Sequence, residues 1–429
     1  MKIKVENVTY EEMLSRKEKA LAAPKKKPKT PNPLLRKLVY ALSKGELKKV
    51  NFSCERENME LLAKDEPCLI LMNHSSFIDL EIAEVLFADR PFQIVCTSDG
   101  FVGKDGLMRS IGCIPTRKFV TDVQLVKDMV YAAKKLGNSI LMYPEASYSF
   151  DGTATPLPQS IGKCVKLLGI PVVMIRTYGA FHRDPLYNNL QLRNVDVSAK
   201  VSYLLSPDDI EKKTAGEIQE IIEKQFDFDH FAWQRDNRIK IDEPFRADYL
   251  NRVLYKCPAC LTEGKMQGKG IYLVCKECGK QYALEENGQM KALSGETEFP
   301  HIPGWYAWER DCVRKEIEDG SYKLDIPVDI CALVDTKSLC RIGEGRLVHD
   351  SSGFHLTGCE GKLDYRQKPS ASYSLYADYY WYEIGDVICI GNSQALYYCF
   401  PKDSGDVVAK TRLATEELYK KYCNYSGHP

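Results

Sequence analysis

The sequence lacks both a long apolar run and a net charge, and each absence argues against a class of protein. None of its apolar runs approaches the roughly 18 to 20 residues that a membrane-spanning helix needs. Its 59 basic and 59 acidic residues balance to a formal charge of zero, which argues against a basic protein that coats nucleic acid. With 44% hydrophobic and 28% charged residues over 429 positions, we expect two or three folded domains. A membrane contact of this protein would be peripheral.

We also expect no signal peptide, and this expectation decides how the sixteen cysteines are interpreted. Four of them stand in metal-ligand spacing. Others, such as Cys68, Cys96 and Cys164, lie in apolar runs where cysteine acts as a small buried hydrophobe. We therefore expect a cytoplasmic protein with reduced thiols rather than a disulfide scaffold.

Positive charge is concentrated near the start of the chain. Residues 16–49 contain twelve Lys or Arg residues and two acids. Within them, residues 24–33 form a proline-rich linker, and residues 34–50 predict an amphipathic helix with lysines opposite its apolar face. Such a helix is typical of a segment on an anionic membrane surface, although a helix packed on the protein's own core has the same pattern. The apolar face consists of Leu34, Leu35, Leu38, Val39, Leu42 and Leu47.

The rest of the chain divides by its pattern into three parts. Residues 51–250 follow the basic segment 1–50 and contain short apolar strands alternating with helices, which predicts a mostly parallel α/β sheet with functional residues at the carboxyl ends of strands. Residues 251–295 contain the paired cysteines. Residues 296–429 begin with a helix, continue as many short strands and end in a helix. This last pattern is typical of a β-rich, pleckstrin-homology-like domain.

The paired cysteines predict a structural zinc ribbon. CPAC and CKEC are two CxxC knuckles separated by fourteen residues, and four thiolates in this spacing suit tetrahedral zinc. Four protein ligands leave no open position for a substrate, so we expect a structural metal. Iron and a redox dithiol pair are the alternatives. The ligands are Cys257, Cys260, Cys275 and Cys278.

The segment NHSSFID, residues 73–79, directly follows the buried strand CLILM. A histidine that removes a proton from a hydroxyl needs one ring nitrogen facing the substrate and the other held by an acceptor. Asp79, five residues after His74, can be that acceptor. The same spacing also suits a helix start capped by Ser76, with His74 as a satisfied strand-end residue.

Three further segments follow in order: GCIPTRK (112–118), YPEASYS (143–149) and GIPVV (169–173). Together with NHSSFID, they resemble the four sequence blocks of the glycerolipid acyltransferase superfamily, typified by 1-acylglycerol-3-phosphate acyltransferases. The resemblance covers roughly residues 34–205. The competing serine-hydrolase elbow is absent, since its nearest approach, PQSIG, begins with Pro158.

The resemblance implies a role for individual residues. His74 would be the catalytic base and Asp79 its orienting partner. Arg117 would bind the phosphate of the acceptor, and the other substrate-binding residues would be Lys118, Glu145 and Ser147. Ile170 and Pro171 would shape the acyl-chain side.

The third block departs from the usual glutamate-glycine-threonine-arginine pattern, because Ala146, Ser147 and Tyr148 follow Glu145. One phosphate-binding cation is therefore missing, and Lys118 or Arg176 would have to compensate. The acceptor could accordingly differ from lysophosphatidic acid.

The implied reaction moves an acyl group from acyl-CoA or acyl carrier protein to the hydroxyl of a lysophospholipid, without a catalytic cofactor. The fold class is then an α/β, glycerolipid acyltransferase-like catalytic domain with a mostly parallel sheet, followed by the ribbon and the β-rich domain. We expect the enzyme to be peripheral on the cytoplasmic face of a membrane, and no nucleic acid is expected as a partner. The alternatives are a different lipid acceptor, a lipid-binding adaptor with a degenerate catalytic domain, or a nucleic-acid-binding protein built on the ribbon and the basic segment.

Overall fold

The computed structural model describes residues 2–402 and 405–423. The helices and strands of the first half, in chain order, are β1 (Val5–Asn7), α1 (Tyr10–Ala22), α2 (Pro33–Lys49), β2 (Ser53–Glu57), β3 (Leu69–Met72), α3 (Ile78–Leu86), β4 (Phe92–Thr97), α4 (Asp105–Ser110), β5 (Cys113–Thr116), α5 (Val123–Lys134), β6 (Ser139–Met142), α6 (Ile161–Leu168), β7 (Val172–Tyr178), α7 (Ala180–Arg183), β8 (Ser198–Leu205), α8 (Pro207–Lys212), α9 (Ala215–Phe226) and α10 (His230–Asp236).

The second half contains β9 (Met266–Lys269), β10 (Tyr272–Cys275), β11 (Gln281–Leu284), β12 (Met290–Ala292), α11 (Ile302–Asp319), β13 (Leu324–Leu333), β14 (Leu339–Asp350), β15 (Gly353–Gly358), β16 (Leu363–Gln367), β17 (Tyr376–Trp381), β18 (Gly385–Gly391), β19 (Leu396–Pro401) and α12 (Val407–Tyr422).

The first sheet has the strand order β2-β8-β7-β3-β6-β4-β5. All of its pairs are parallel except β7 with β8, so the predicted mostly parallel sheet is confirmed. Side chains of β3 alternate between its two faces, as the period of a strand requires. Leu69 and Leu71 pack against α5, α6 and α9, whereas Ile70 and Met72 pack on the face that α3 covers.

The second sheet is small and antiparallel, in the order β12-β11-β10-β9. One cysteine knuckle precedes β9 and the other lies between β10 and β11. This sheet packs into the large core shared with α11 and α12, where Leu273 and Tyr282 are fully buried beside Trp305. The indole Nε1–H of Trp305 donates to the carbonyl of Lys256 at 3.0 Å, next to the first knuckle.

The third sheet confirms a β-rich C-terminal region. Strands β13 to β19 form the order β16-β15-β14-β13-β19-β18-β17, and helix α12 packs against this region. The chain's first strand, β1, adds to β14 in parallel, which the sequence pattern did not indicate. The pleckstrin-homology-like assignment stays a prediction.

The C-terminal region covers the carboxyl edge of the first sheet. The Tyr376 hydroxyl donates to the carboxylate of Asp99 at 2.6 Å, and the Gly103 N–H donates to the carbonyl of Thr336 at 2.9 Å. The Ser372 hydroxyl donates to the Phe119 carbonyl at 3.0 Å. Loops after β4 and β5 are therefore held between the two sheets.

The N-terminal segment connects the two bodies. Helix α1 begins with a capping box of Thr9 and Glu12 and lies beside β14. The linker then passes the start of β4 and the end of α4: the side-chain amide of Gln93 donates to the carbonyl of Lys29 at 2.9 Å, and the Asn32 N–H donates to the carbonyl of Ser110 at 2.8 Å. Helix α2 finally packs on α3.

The apolar face of α2 is wider than the surface it packs on. Leu47 is buried, but Leu34, Leu38 and Leu42 remain 76%, 57% and 64% exposed. The single apolar face expected from the sequence is thus divided into a packed side and an exposed side. Among the described residues, no helix is both long and apolar enough to cross a membrane.

Candidate active site

His74 leaves the carboxyl end of β3 and is paired with Asp79 in the first turn of α3. Its Nδ1 lies 3.2 Å from a carboxylate oxygen of Asp79, which also accepts the N–H groups of Ser75 and Ser76 at 2.7 and 3.0 Å. Asp79 is fully buried. An acceptor at Nδ1 favours the tautomer with the proton there, so Nε2 is left as the basic nitrogen.

The capping interpretation of this segment is also partly correct. The Ser76 hydroxyl accepts the N–H of Ile78 at 3.3 Å and donates to Asp184. Asp79 reaches back to the main chain of the loop in the same manner as a capping carboxylate. Hydrogen bonds typical of a helix N-terminus therefore hold the loop in place. The Asp79 carboxylate, which forms two of them, also orients His74.

The surroundings of His74 favour its neutral form. Burial lowers the pKa of His74, the hydrogen bond to Asp79 and its charge raise it, and the nearby charge of Lys118 lowers it further. The net direction is downward from the ordinary value of 6.5. A neutral imidazole near neutral pH is the state that a general base requires.

Two tyrosines of the third block enclose the imidazole. The ring of Tyr143 stacks on His74 with centroids 4.2 Å apart and an interplanar angle of 27°, and Tyr148 stacks on it at 4.2 Å and 30°. The sequence indicated Tyr148 only as a lost arginine. The aromatic side chain of Tyr148 was the only feature of the sequence that could have indicated this stacking. The contact itself depends on the path of the loop, which the sequence pattern does not give.

Glu145 connects the third block to the loop that carries His74. One carboxylate oxygen accepts the N–H of His74 at 2.9 Å and the other accepts the N–H of Thr155 at 2.9 Å. Burial raises the pKa of Glu145 to about 7, against these hydrogen bonds. Contact of Glu145 with substrate stays a prediction, whereas its role in holding the main chain is visible in the structure.

The next two residues of the loop, Ala146 and Ser147, are half-buried and buried, respectively. Ala146 has a φ of +56°, in the left-handed region that favours glycine, which gives a physical reason for glycine in the usual block. Ser147 is 2% exposed and its hydroxyl donates to the carbonyl of Tyr148 at 3.3 Å. Substrate binding by Ser147 stays a prediction.

The second block supplies Arg117 and Lys118 at the end of β5. Arg117 is half-buried, and its Nε has no hydrogen-bond partner among the described residues. Burial lowers the pKa of Arg117. The ammonium of Lys118 lies 4.3 Å from the ring centroid of Tyr376, and its charge acts on both His74 and the half-buried Asp378. Burial raises the pKa of Asp378 to about 7, and Lys118 opposes that rise.

The two proposed compensating cations differ in position. Lys118 is close enough to influence His74, as above. Arg176 lines the cleft beside His74, but it donates to the carbonyl of Gln225 and lies near Phe228. That cleft has a volume of about 10 Å³, roughly the space of one water molecule.

A third cation near the block comes from the end of the chain. The Arg412 guanidinium, on α12, lies 4.4 Å from the ring centroid of Phe150 and donates to the Tyr148 carbonyl at 3.5 Å. Its charge also lowers the pKa of Glu145. No local sequence pattern connects residue 412 with the third block.

Another residue outside the blocks supports the loop from behind. The Nε2 of His230 lies 3.3 Å from the Ser75 hydroxyl, which accepts a hydrogen bond from the side-chain amide of Asn73 at 2.9 Å. Burial lowers the pKa of His230 to about 3, so it is neutral. It is a positioning residue that the sequence analysis missed.

Ile170 and Pro171 are not near His74. The Pro171 carbonyl accepts the N–H of Leu69, the first residue of β3, so the pair lies at the amino end of the sheet. His74 follows the opposite end, four residues and roughly 13 Å along the strand. The structure thus brings His74, Asp79, Glu145 and Lys118 together and leaves the fourth block distant.

The four predicted metal ligands converge. Their sulfur atoms all lie within 4.8 Å of one another, and the Cys257–Cys278 and Cys260–Cys275 sulfur pairs are each 3.7 Å apart. A tetrahedral zinc with Zn–S bonds of about 2.3 Å has sulfur–sulfur edges of about 3.8 Å. The cluster therefore has the donor set and dimensions for one tetrahedral metal ion such as zinc.

Comparison with known proteins identifies the first domain. Residues 53–177 match the model of the Acyltransferase family, and these residues contain all four blocks. The chain therefore carries an acyltransferase domain, and the superfamily resemblance of the blocks is confirmed.

A search of curated proteins found no match. Among solved structures, the chain is similar to the 1-acyl-sn-glycerophosphate (LPA) acyltransferase PlsC from Thermotoga maritima, with 16% sequence identity and a TM-score of 0.38. The similarity covers 44% of this chain and 76% of that one.

Proposed function

We propose that this protein transfers a fatty acyl group from acyl-CoA or acyl carrier protein to the hydroxyl of a lysophospholipid, with 1-acylglycerol-3-phosphate as the acceptor. The observation that carries the proposal is the His74–Asp79 pair at a strand end within an acyltransferase-family domain. The acceptor phosphate is assigned to Arg117, whose Nε has no partner among the described residues.

The mechanism follows from the orientation of the imidazole. Asp79 holds Nδ1, and Nε2 of His74 removes the proton from the acceptor hydroxyl. The oxygen attacks the thioester carbonyl, and the tetrahedral intermediate then expels the thiolate, which takes the proton back from His74. An ester bond forms as the C–S bond breaks, so no cofactor or acyl-enzyme is needed. Lys118, whose charge acts on His74, offsets negative charge that develops there in this mechanism.

Membrane attachment is proposed for the exposed side of α2. Leu34, Leu38 and Leu42 form an unpaired apolar stripe, and lysines flank it along the same helix. An apolar stripe with flanking lysines fits the boundary of an anionic bilayer. We also propose that the cysteine cluster is a zinc ribbon, that the C-terminal sheet is pleckstrin-homology-like, and that the enzyme works on the cytoplasmic face of the membrane.

A lipid-binding adaptor is the second candidate. It is favoured by the cleft of about 10 Å³ beside His74 and by Tyr148 in place of arginine. Under the first proposal, the aromatic residues around His74 move when substrates enter. Under the second, no acyl transfer takes place.

The test is thiol release from acyl-CoA and from acyl carrier protein, with product identification, over a panel of lysophospholipids. We expect transfer to 1-acylglycerol-3-phosphate in the native protein and loss of transfer in His74→Ala. His355→Ala is a matched control, because His355 lies in the C-terminal sheet and pairs with Asp364. No transfer from either donor to any acceptor would contradict the enzyme proposal, and retained transfer in His74→Ala would contradict the assignment of the base.

A further inference from the structure

A large groove lies where three parts of the protein meet. It has a volume of about 1040 Å³. One wall is the end of α1 with the following linker, the second is the acyltransferase domain around Arg117, and the third is the loop between β13 and β14 with that between β18 and β19. The groove therefore exists only because the N-terminal segment and the C-terminal sheet pack beside the catalytic domain.

Basic side chains outnumber acidic ones around this groove. Its walls contain seven Lys or Arg residues and four Asp residues. Two of the seven basic residues, Lys26 and Arg109, form ion pairs with Asp105. Within the described parts of the chain, the side chains of three lysines form no hydrogen bond or ion pair. The three are Lys19, Lys25 and Lys337.

These three lysines belong to separate elements. Lys19 is in the last turn of α1, Lys25 is in the linker, and Lys337 is in the loop before β14. Exposed lysines on one helix are commonly just solvated. Here, Lys19 and Lys25 on the first wall and Lys337 on the third line a shared concave space, which concentrates positive potential on a ligand within it.

The groove reaches the edge of the reaction site. Ser98 and Arg117, which line it, follow the carboxyl ends of β4 and β5. Three steps between neighbouring strands separate β5 from β3, the strand that leads to His74. At about 4.8 Å a step, this distance is roughly 14 Å. A ligand held in the groove would need an extended arm to reach the base.

We propose that this groove binds the phosphorylated nucleotide end of CoA, so that CoA rather than acyl carrier protein presents the thioester. This inference rests on the proposed acyl transfer. CoA combines several phosphate charges at one end with a long neutral arm that ends in the thiol, which matches three unpaired cations set apart from the base. A folded carrier protein is too large to enter a recess of about 1040 Å³, so its contact surface would have to lie outside this groove.

The proposal also gives the C-terminal sheet a role in substrate binding, because Lys337 belongs to it. Because the lysines are exposed, their contribution should weaken with added salt.

The test measures binding of unacylated CoA to the full-length protein by calorimetry, with pantetheine and lysophosphatidic acid as comparison ligands. The variant is Lys19→Glu/Lys25→Glu/Lys337→Glu. A matched control variant, Lys163→Glu/Lys224→Glu/Lys315→Glu, reverses the charge of three exposed lysines outside the groove. We expect CoA to bind the native and control proteins alike, the groove variant to bind it at least about tenfold more weakly, and pantetheine not to bind.

Other outcomes would overturn the proposal. If CoA affinity falls equally in both triple variants, the effect comes from the overall charge of the protein rather than from the groove. If CoA affinity is unchanged in the groove variant, CoA does not bind in the groove. A loss limited to lysophosphatidic acid would assign the groove to the acceptor. His74→Ala should bind CoA normally, so a failure of catalysis and a failure of this site are distinguishable. Thermal unfolding of each variant checks that it is folded.

Discussion

The ring of Tyr148 stacks on the imidazole of His74, with centroids 4.2 Å apart. Tyr148 stands at the position where the superfamily pattern has arginine. The change therefore removes a cation and places an aromatic face against the imidazole of His74. Because the negative face of an aromatic ring attracts a cation, this contact favours the imidazolium that forms each time His74 accepts a proton.

Substitutions at Tyr148 separate the ring from its hydroxyl. Tyr148→Phe keeps the stack, and we expect its kcat to stay within about twofold of the native value. Tyr148→Leu removes an attraction of about 1 to 2 kcal/mol, so we expect kcat to fall roughly tenfold. Steady-state kinetics measures both. Equal losses in the two variants would show that the aromatic face does not contribute.

The pH dependence of kcat/KM reports the charge of His74. The base must be neutral, and burial lowers its pKa below 6.5, so we expect activity to rise with pH and to level off, with the midpoint below pH 6.5. A midpoint above pH 6.5 would contradict the lowered pKa. Circular dichroism at each pH checks that the loss at low pH is not unfolding.

Asp79 raises the pKa of His74, so removing its charge should move that midpoint further down. In Asp79→Asn, the Nδ1 proton also loses its carboxylate acceptor, and we expect kcat to fall by about two to four orders of magnitude. An upward shift of the midpoint would contradict the pairing. The comparison uses the same pH series for the native protein and the variant.

Local patterns were sufficient to predict strand β3 and the pairing of His74 with Asp79 after it. His74 and Asp79 are five residues apart, and the alternation of buried strand and helix fixes where such a pair emerges. The same reasoning could not place Arg412 beside Tyr148, because 264 residues separate them. Contacts of this kind depend on how whole domains pack against each other, and the hydrophobic periodicity of a short segment carries no information about that packing.

The partial exposure of α2 shows a second limit of prediction from the sequence. Its apolar residues and helix bounds were predictable, but which of them contact α3 depends on the width of the surface that α3 offers. Leu47 is buried and Leu34 is not, although both belong to the same predicted face. Likewise, β1 is three residues long and is stabilised as a strand by its pairing with β14. The sequence of β1 alone is therefore too short to predict a strand.

Ala146 is predicted to be a strained position. An alanine at a φ of +56° costs about 1 to 2 kcal/mol more than in the right-handed region. We expect Ala146→Gly to raise the free energy of unfolding by about 0.5 to 1 kcal/mol, as measured by denaturant titration. Ala41→Gly, at an exposed position within α2, is the control and should lower it by about 1 kcal/mol. A loss of stability in both variants would refute the strain.

The exposed leucines of α2 should determine membrane binding. Leu34→Asn/Leu38→Asn/Leu42→Asn removes an apolar surface worth several kcal/mol when buried in a bilayer, so we expect at least a tenfold loss of co-flotation with anionic vesicles. The control changes three other exposed leucines, Leu167, Leu192 and Leu261, to Asn. Equal flotation of the native protein and the α2 variant would exclude this surface.

Metal removal should weaken the whole C-terminal half. We expect about one zinc per chain by elemental analysis, lost in Cys257→Ser/Cys260→Ser and on treatment with a chelator. Because the cysteine cluster shares a core with Trp305 and Tyr282, its loss should lower the unfolding temperature, whereas Cys54→Ser, at an exposed cysteine outside the cluster, should not. Metal-free protein with an unchanged unfolding temperature would contradict a structural zinc site, because four sulfurs 3.7 to 4.8 Å apart need a cation to offset thiolate charge.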